Sequence, residues 1–250
     1  MSTRRNILVT GAGAGLGEHM ARGFAALGRN LALCARRTDR LERLRDDLLA
    51  AHPGITVAVR ELDVNDHDAV FEVFRAFRSD LGGLDRVVVN AGLGKGQPIG
   101  TGRFDANLRT ARTNFTAALA QCEAAGEIFR ERNAGHLVVV SSMSAPRGLP
   151  RNLTACAASK AGVAALAEGI RAELLRTPIR VTTLFPGCIA SETSGRSGRT
   201  PLMVSTEKGV RAVVRAIEAE RAQAKVPAWP WVPPGFAMRR LPLSLVSRMS

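Results

Sequence analysis

Short, almost uninterrupted apolar runs alternate with amphipathic stretches along most of this 250-residue chain, and few folds accept that pattern. The runs at residues 7–10, 31–35, 56–60, 86–90, 136–141 and 180–185 are apolar at successive positions rather than at every second one. Strands buried on both faces of a parallel sheet read this way. Between them apolar residues recur at helical spacing. Leu41, Leu44 and Leu48 follow Thr38; Val70, Val73, Phe74, Phe77 and Leu81 follow Asn65; Val163, Leu166, Ala167, Ile170 and Leu174 precede Pro178. Thr38 and Asn65 read as helix caps and Pro178 as a stop, and the stripes themselves as core-facing surfaces. Repeated β-α units with right-handed crossovers predict an α/β fold built on one doubly wound parallel sheet flanked by helices on both faces.

Nothing resembling a linker interrupts residues 4–226, so residues 1–225 read as a single domain. Residues 226–250 change character: five prolines and two tryptophans appear among large apolar residues and Arg239, Arg240 and Arg248. This Pro/Trp-rich apolar-basic C-terminal extension is expected to pack on a cleft or on a partner subunit. Membrane association is the less favoured alternative, because the prolines break any long amphipathic helix. No apolar run looks long enough to cross a bilayer, and the N-terminus leads straight into a strand rather than a signal-peptide core. Cys34, Cys122, Cys156 and Cys188 lie far apart, as in a reduced, cytoplasmic protein. The four histidines are equally scattered and indicate no metal site. The net charge of +13 comes from arginines spread over every helix without interleaved aromatics, a pattern of solvated faces rather than of a nucleic-acid surface.

Thr10-Gly11-Ala12-Gly13-Ala14-Gly15-Leu16-Gly17 follows the first apolar run and opens the first helical segment. Strand, glycine loop and helix together form a phosphate cradle: without a Cβ the backbone turns sharply and approaches a pyrophosphate, while the helix N–H groups face the anion. The fold is thus of Rossmann type, and a dinucleotide is the expected ligand. An acidic residue about 20 positions after the loop would hold a ribose 2′-hydroxyl. Here the second strand ends in Arg36 and Arg37, whose guanidinium groups match a 2′-phosphate in charge and geometry. NADP(H) is therefore favoured, with NAD(H) left open by Asp39. Asp63 and Val64, after the third strand, are placed to meet the adenine, although Asp63 could equally cap a helix. Asn90, Ala91 and Gly92 end the fourth strand at the same sheet edge, where small residues let a flat cofactor lie against backbone.

Residues 135–160 deliver Ser141 and Ser142 to that edge and then start a helix bearing Cys156 and Lys160. With these motifs in this order, about residues 5–225 resemble a classical short-chain dehydrogenase/reductase. The glycine signature, Asn90-Ala91-Gly92, Asn114 within Thr113-Asn114-Phe115, and Pro186-Gly187-Cys188-Ile189 with Ser191 all match the family's pattern. The resemblance implies coenzyme contacts at Pro186, Gly187, Ile189, Ser191 and Lys160. It also implies a mobile substrate loop within residues 190–205 and a homodimer or homotetramer built through the helices around Asn114 and Lys160. The family's catalysis uses Tyr-x-x-x-Lys with an upstream serine and an asparagine, so Asn114, Ser142, Cys156 and Lys160 are the expected catalytic set. Ser141 and Ser144 are alternatives to Ser142, because the serine spacing is one residue longer than the family's usual one.

The departure lies in the tyrosine: Cys156 holds its place, and the chain contains no tyrosine at all. A thiol on so short a side chain cannot reach where a phenolic oxygen would sit, and proton transfer needs hydrogen-bond reach. The expected function is an NADP(H)-linked oxidoreductase interconverting the carbonyl and hydroxyl of an apolar small-molecule substrate, with weakened acid/base chemistry. The alternative is a non-catalytic NADP(H)-binding sensor or scaffold.

Overall fold

The computed structural model describes residues 4–94, 96–189, 203–229, 231 and 240–246. Seven strands form one sheet: β1 (Asn6–Thr10), β2 (Asn30–Ala35), β3 (Val57–Glu61), β4 (Arg86–Val89), β5 (His136–Val140), β6 (Arg180–Pro186) and β7 (Gln223–Val226). Their order is β3-β2-β1-β4-β5-β6-β7, with every neighbouring pair parallel. Strand order therefore reverses between β1 and β4, and a crevice opens there beyond the carboxyl ends of the strands.

Alternation along each strand divides the core. Ile7 and Val9 of β1, Leu31 and Leu33 of β2 and Val88 of β4 face one side. There they meet helices α1 (Gly15–Ala25), α2 (Thr38–Ala51) and α7 (Thr206–Glu218). Leu8, Ala32, Val87 and Val89 point to the other side, against α3 (His67–Asp80), α5 (Ala117–Arg132) and α6 (Thr154–Glu173). A shorter helix, α4 (Phe104–Ala111), runs through a π-helical turn, Arg112–Thr116, into α5. A one-turn α8 (Leu243–Val246) buries Val246. The central strands are buried on both faces, which is why they read as unbroken apolar runs.

Several expectations need correction. The cap of α3 is Asp66, whose carboxylate accepts from the Ala69 N–H at 3.1 Å; Asn65 is not the cap. Thr38 is the first residue of α2 and makes no capping bond. The edge strand β7 was not legible, and it carries Val226, the residue from which the extension was counted. Finally, the most apolar 18-residue stretch of Arg151–Glu173 has a mean hydropathy of 1.2, so by length and composition alone this helix could cross a membrane. In the fold it lies on the sheet, with Val163 and Ala167 in the core.

At the amino ends of the strands, opposite the crevice, lies a buried polar cluster. Arg86 is 1% exposed. Its Nε donates to His136 Nδ1 at 2.9 Å, its Nη1 pairs with Glu218, and its guanidinium stacks 5.8 Å over Phe24. His136 Nε2 lies 2.8 Å from the Thr182 hydroxyl, and Glu220 pairs with Arg4 at 2.8 Å. The cluster ties the end of α7 to β4, β5 and β6.

Candidate active site

The crevice is built by β1 and β4. Buried Thr10 accepts from the N–H groups of Asn90 (3.0 Å) and Ala91 (3.2 Å), and Asn90 Nδ2 donates to the Thr10 carbonyl at 2.9 Å. Thr10 and Asn90 therefore hold the two strand ends together, and Thr10 has no surface in the crevice. The glycine loop then turns into α1. A Cβ at Gly17 would lie 2.3 Å from the Gly11 carbonyl oxygen, so only glycine lets this helix pack so close to the loop. Ala14 precedes α1 and offers no side-chain cap, which leaves the first-turn N–H groups directed outward.

Gly11, Gly13, Ala14, Gly15 and Leu16 line a cavity of about 780 Å³ together with Arg36, Arg37, Asp63, Val64, Asn90, Ala91 and Gly92. Sequence reasoning therefore located half of its wall. Asp39 lies elsewhere, paired with Arg43 at 3.2 Å along α2. Asp63 uses one carboxylate oxygen for the backbone and side-chain N–H groups of Asn65, at 3.0 and 2.8 Å. Asn65 in turn accepts from Thr113 at 3.2 Å, joining this loop to the helical wall. Thr113, part of the Thr113-Asn114-Phe115 motif, also lines the cavity, as do Arg103 and Arg109, which no sequence signal marked.

Beyond Gly92 the expected reactive residues converge. Asn114 is 1% exposed, sits in the π turn, and grips the backbone of Leu93 from both sides. Its Oδ1 accepts from the Leu93 N–H at 2.7 Å, and its Nδ2 donates to the Leu93 carbonyl at 2.9 Å and to Ser159 Oγ at 3.1 Å. A π turn within a helix commonly marks a functional position. Cys156 is 6% exposed, with its Sγ 3.7 Å from the Leu93 carbonyl and 4.0 Å from Asn114 Nδ2. Burial pushes its pKa up, and nearby Lys160 only partly offsets this. It is a thiol at neutral pH, not the thiolate that an adjacent ammonium would favour by itself.

Lys160, one turn further along α6, donates to the Val140 carbonyl at 2.8 Å. The residue is partly exposed, but its ammonium end is enclosed, and burial lowers its pKa to about 8. The three serines separate clearly. Ser141 is buried and spends its hydroxyl on the Lys160 carbonyl at 2.8 Å. Ser142 Oγ accepts from Ser144 N (3.1 Å) and Ser144 Oγ (2.9 Å), which orients it and leaves its own proton to be donated. Met143 N–H donates to the Pro186 carbonyl at 3.0 Å, bringing Ser142 beside the end of β6. There Ile189 bridges Val204 and packs on Gly209. Ser191 and most of the expected substrate loop lie outside the described residues.

Fold and site together define a dinucleotide-type α/β protein with a Ser/Lys/Asn cluster at the sheet's carboxyl edge. The short chain dehydrogenase family model matches residues 5–201, and the chain belongs to that family of oxidoreductases. It is 52% identical over 248 residues to an uncharacterized oxidoreductase of Mycobacterium tuberculosis, covering 99% of this chain and 98% of the relative. A putative short-chain alcohol dehydrogenase from Sinorhizobium meliloti superposes with a TM-score of 0.81 at 26% identity, over 91% of this chain and 95% of that one. The closed form of serine dehydrogenase complexed with NADP+ gives a TM-score of 0.78 at 26% identity, over 89% and 95%.

Proposed function

We propose that this chain is an NADP(H)-linked oxidoreductase that interconverts a carbonyl and a hydroxyl on a small apolar molecule, with weak acid/base catalysis. The observation that carries the coenzyme choice is the cavity wall: Arg36 and Arg37 line it, while Asp39 is drawn away into an ion pair with Arg43. A 2′-phosphate beside two guanidinium groups is matched in charge, whereas a carboxylate there would repel it. The uncapped start of α1 and the close seat that Gly17 allows suit a diphosphate on the same wall. When bound, the nicotinamide supplies or accepts the hydride.

The remaining chemistry belongs to the chain's own groups. Ser142, held from behind by Ser144, offers its O–H to the substrate oxygen. Lys160 places a positive charge close to the reacting end. Asn114 fixes the Leu93 backbone that closes the site below Cys156. Cys156 stands where the family's phenol would, and its thiol stays protonated and too short to exchange a proton with that oxygen. Loss of a positioned acid/base group costs about 10²–10⁴ in rate, so slow turnover is expected. By family resemblance the chain also assembles as a homodimer or homotetramer, and half-exposed Phe115 lies on the helical surface concerned.

Calorimetry with NADPH and NADH, followed by NADPH oxidation against a panel of ketones and aldehydes, tests this reading. The Cys156→Tyr variant should turn over at least tenfold faster than the native chain. Equal rates would refute the account of the missing phenol. Tight NADPH binding without turnover by either protein would favour a non-catalytic role.

A further inference from the structure

The end of β7 and the end of β6 lie side by side: Val226 pairs with Pro186, and the Gly187 N–H donates to the Val226 carbonyl at 3.0 Å. The chain therefore leaves the sheet at the edge that carries Pro186 and Gly187. Five residues later Trp231 presses against Gly187. A Cβ built on Gly187 would fall 2.3 Å from Trp231 Nε1 and 2.4 Å from both Cδ1 and Cε2. The pyrrole edge of the indole thus fills the space that any side chain at position 187 would need.

The indole N–H is buried and has no hydrogen-bond partner. Buried indole N–H groups ordinarily find an acceptor, because leaving one unpaired forfeits its hydration without replacement. Trp229, two residues earlier, is 71% exposed, so close packing here is particular to Trp231. The segment that carries Ser142 reaches the same strand end, where the Met143 N–H donates to the Pro186 carbonyl. An apolar ring with one unspent donor at its edge, beside Gly187, is suited to a ligand that carries a carbonyl.

We propose that Trp231 is a binding residue of the reaction cleft, giving its indole N–H to a carbonyl oxygen of the bound ligand. That oxygen belongs either to the carboxamide of the nicotinamide or to the substrate. The inference rests on the reading that the Pro186–Ile189 wall receives the nicotinamide. It makes Trp231 part of the active site.

Trp231→Phe keeps a packed ring and removes the donor, and its thermal melt checks that the fold is intact. Calorimetry on the full chain would compare NADP+ with 2′-phospho-ADP-ribose, which lacks the nicotinamide, and steady-state kinetics would give KM for any carbonyl reduced in the panel. About tenfold weaker NADP+ binding with unchanged 2′-phospho-ADP-ribose binding, the worth of one hydrogen bond, assigns the acceptor to the coenzyme. A similar rise in KM with NADP+ affinity unchanged assigns it to the substrate. Gly187→Ala, which expels the indole, should reproduce whichever loss is seen. If Trp231→Phe alters neither quantity while the native chain binds NADP+, this inference is overturned and the coenzyme reading stands. Failure of the native chain to bind NADP+ overturns both.

Discussion

Replacing Lys160 by methionine should stabilise the free protein at neutral pH while weakening its function. The enclosed ammonium has a pKa lowered from 10.5 to about 8, chiefly by burial. At about 1.4 kcal/mol per pKa unit this difference corresponds to about 3 kcal/mol of destabilisation below pH 8, where both folded and unfolded lysines are charged. The substitution also removes the bond to the Val140 carbonyl and leaves that acceptor unpaired, at a cost of about 1–3 kcal/mol. The balance is a net gain of roughly 0–2 kcal/mol, or up to about 8 °C in Tm for a domain of this size.

The pH profile carries the stronger test. Between about pH 8 and 10.5 the unfolded lysine holds a proton that the folded one has lost, so native stability rises with pH. Lys160→Met lacks that titration. Its advantage should therefore shrink across this window and vanish above it, leaving the native chain the more stable. Melting curves of both proteins without nucleotide from pH 7 to 10.5 measure this directly. A gap that stays constant across the window would refute the buried-ammonium argument.

Three further outcomes follow from the same geometry. Arg36→Ala/Arg37→Ala should erase NADPH preference over NADH, with NADPH binding weakened some 10- to 100-fold as charge-assisted bonds are lost; parallel calorimetry with the two nucleotides checks it. Gly17→Ala places a Cβ 2.3 Å from a backbone oxygen and should cost about 1–3 kcal/mol in chemical denaturation, along with coenzyme affinity. His136 has its pKa held well below 6.5 by burial and then by Arg86 and Arg4. It must stay neutral in the fold, so stability should fall by up to about 1.4 kcal/mol per pH unit below pH 6.5, and His136→Asn should flatten that acid slope.

What the sequence revealed and concealed has physical causes. Burial on both faces makes β1, β2, β4, β5 and β6 largely apolar, so they could be read to within a residue or two; β3, at one sheet edge, showed only through Val57, Ala58 and Val59. The edge strand β7, Gln-Ala-Lys-Val, alternates exposed and buried and gives no such run. Asp63, Asn65 and Asp66 are all capable of capping, and only the backbone path gives that task to Asp66. Adjacent serines on a strand end point to opposite sides, so spacing could not tell Ser142 from Ser141 before Ser141 was seen bonded to α6. Long-range partners were the least visible. Arg86 and Glu218 are 132 positions apart, and Trp231 and Gly187 carry no shared pattern.

The two edges of the sheet divide the work between them. At the amino edge Arg86, His136, Thr182, Glu218, Glu220 and Arg4 satisfy one another, and that closed network pins the end of α7. At the carboxyl edge polar atoms are left uncommitted: the Ser142 proton, the outward N–H groups of α1 and the indole N–H of Trp231. Helix α7 joins the two, because its first turns seat Ile189 at Gly209 while its last residues enter the buried network. A site whose reacting groups need placement to a fraction of an ångström depends on such support. Weakening the Arg86–Glu218 pair should therefore loosen the Pro186–Ile189 wall and also α1, on which α7 packs directly through Val214 at Gly23. Affinity for NADPH and for 2′-phospho-ADP-ribose should then both fall, and calorimetry with the two ligands measures it.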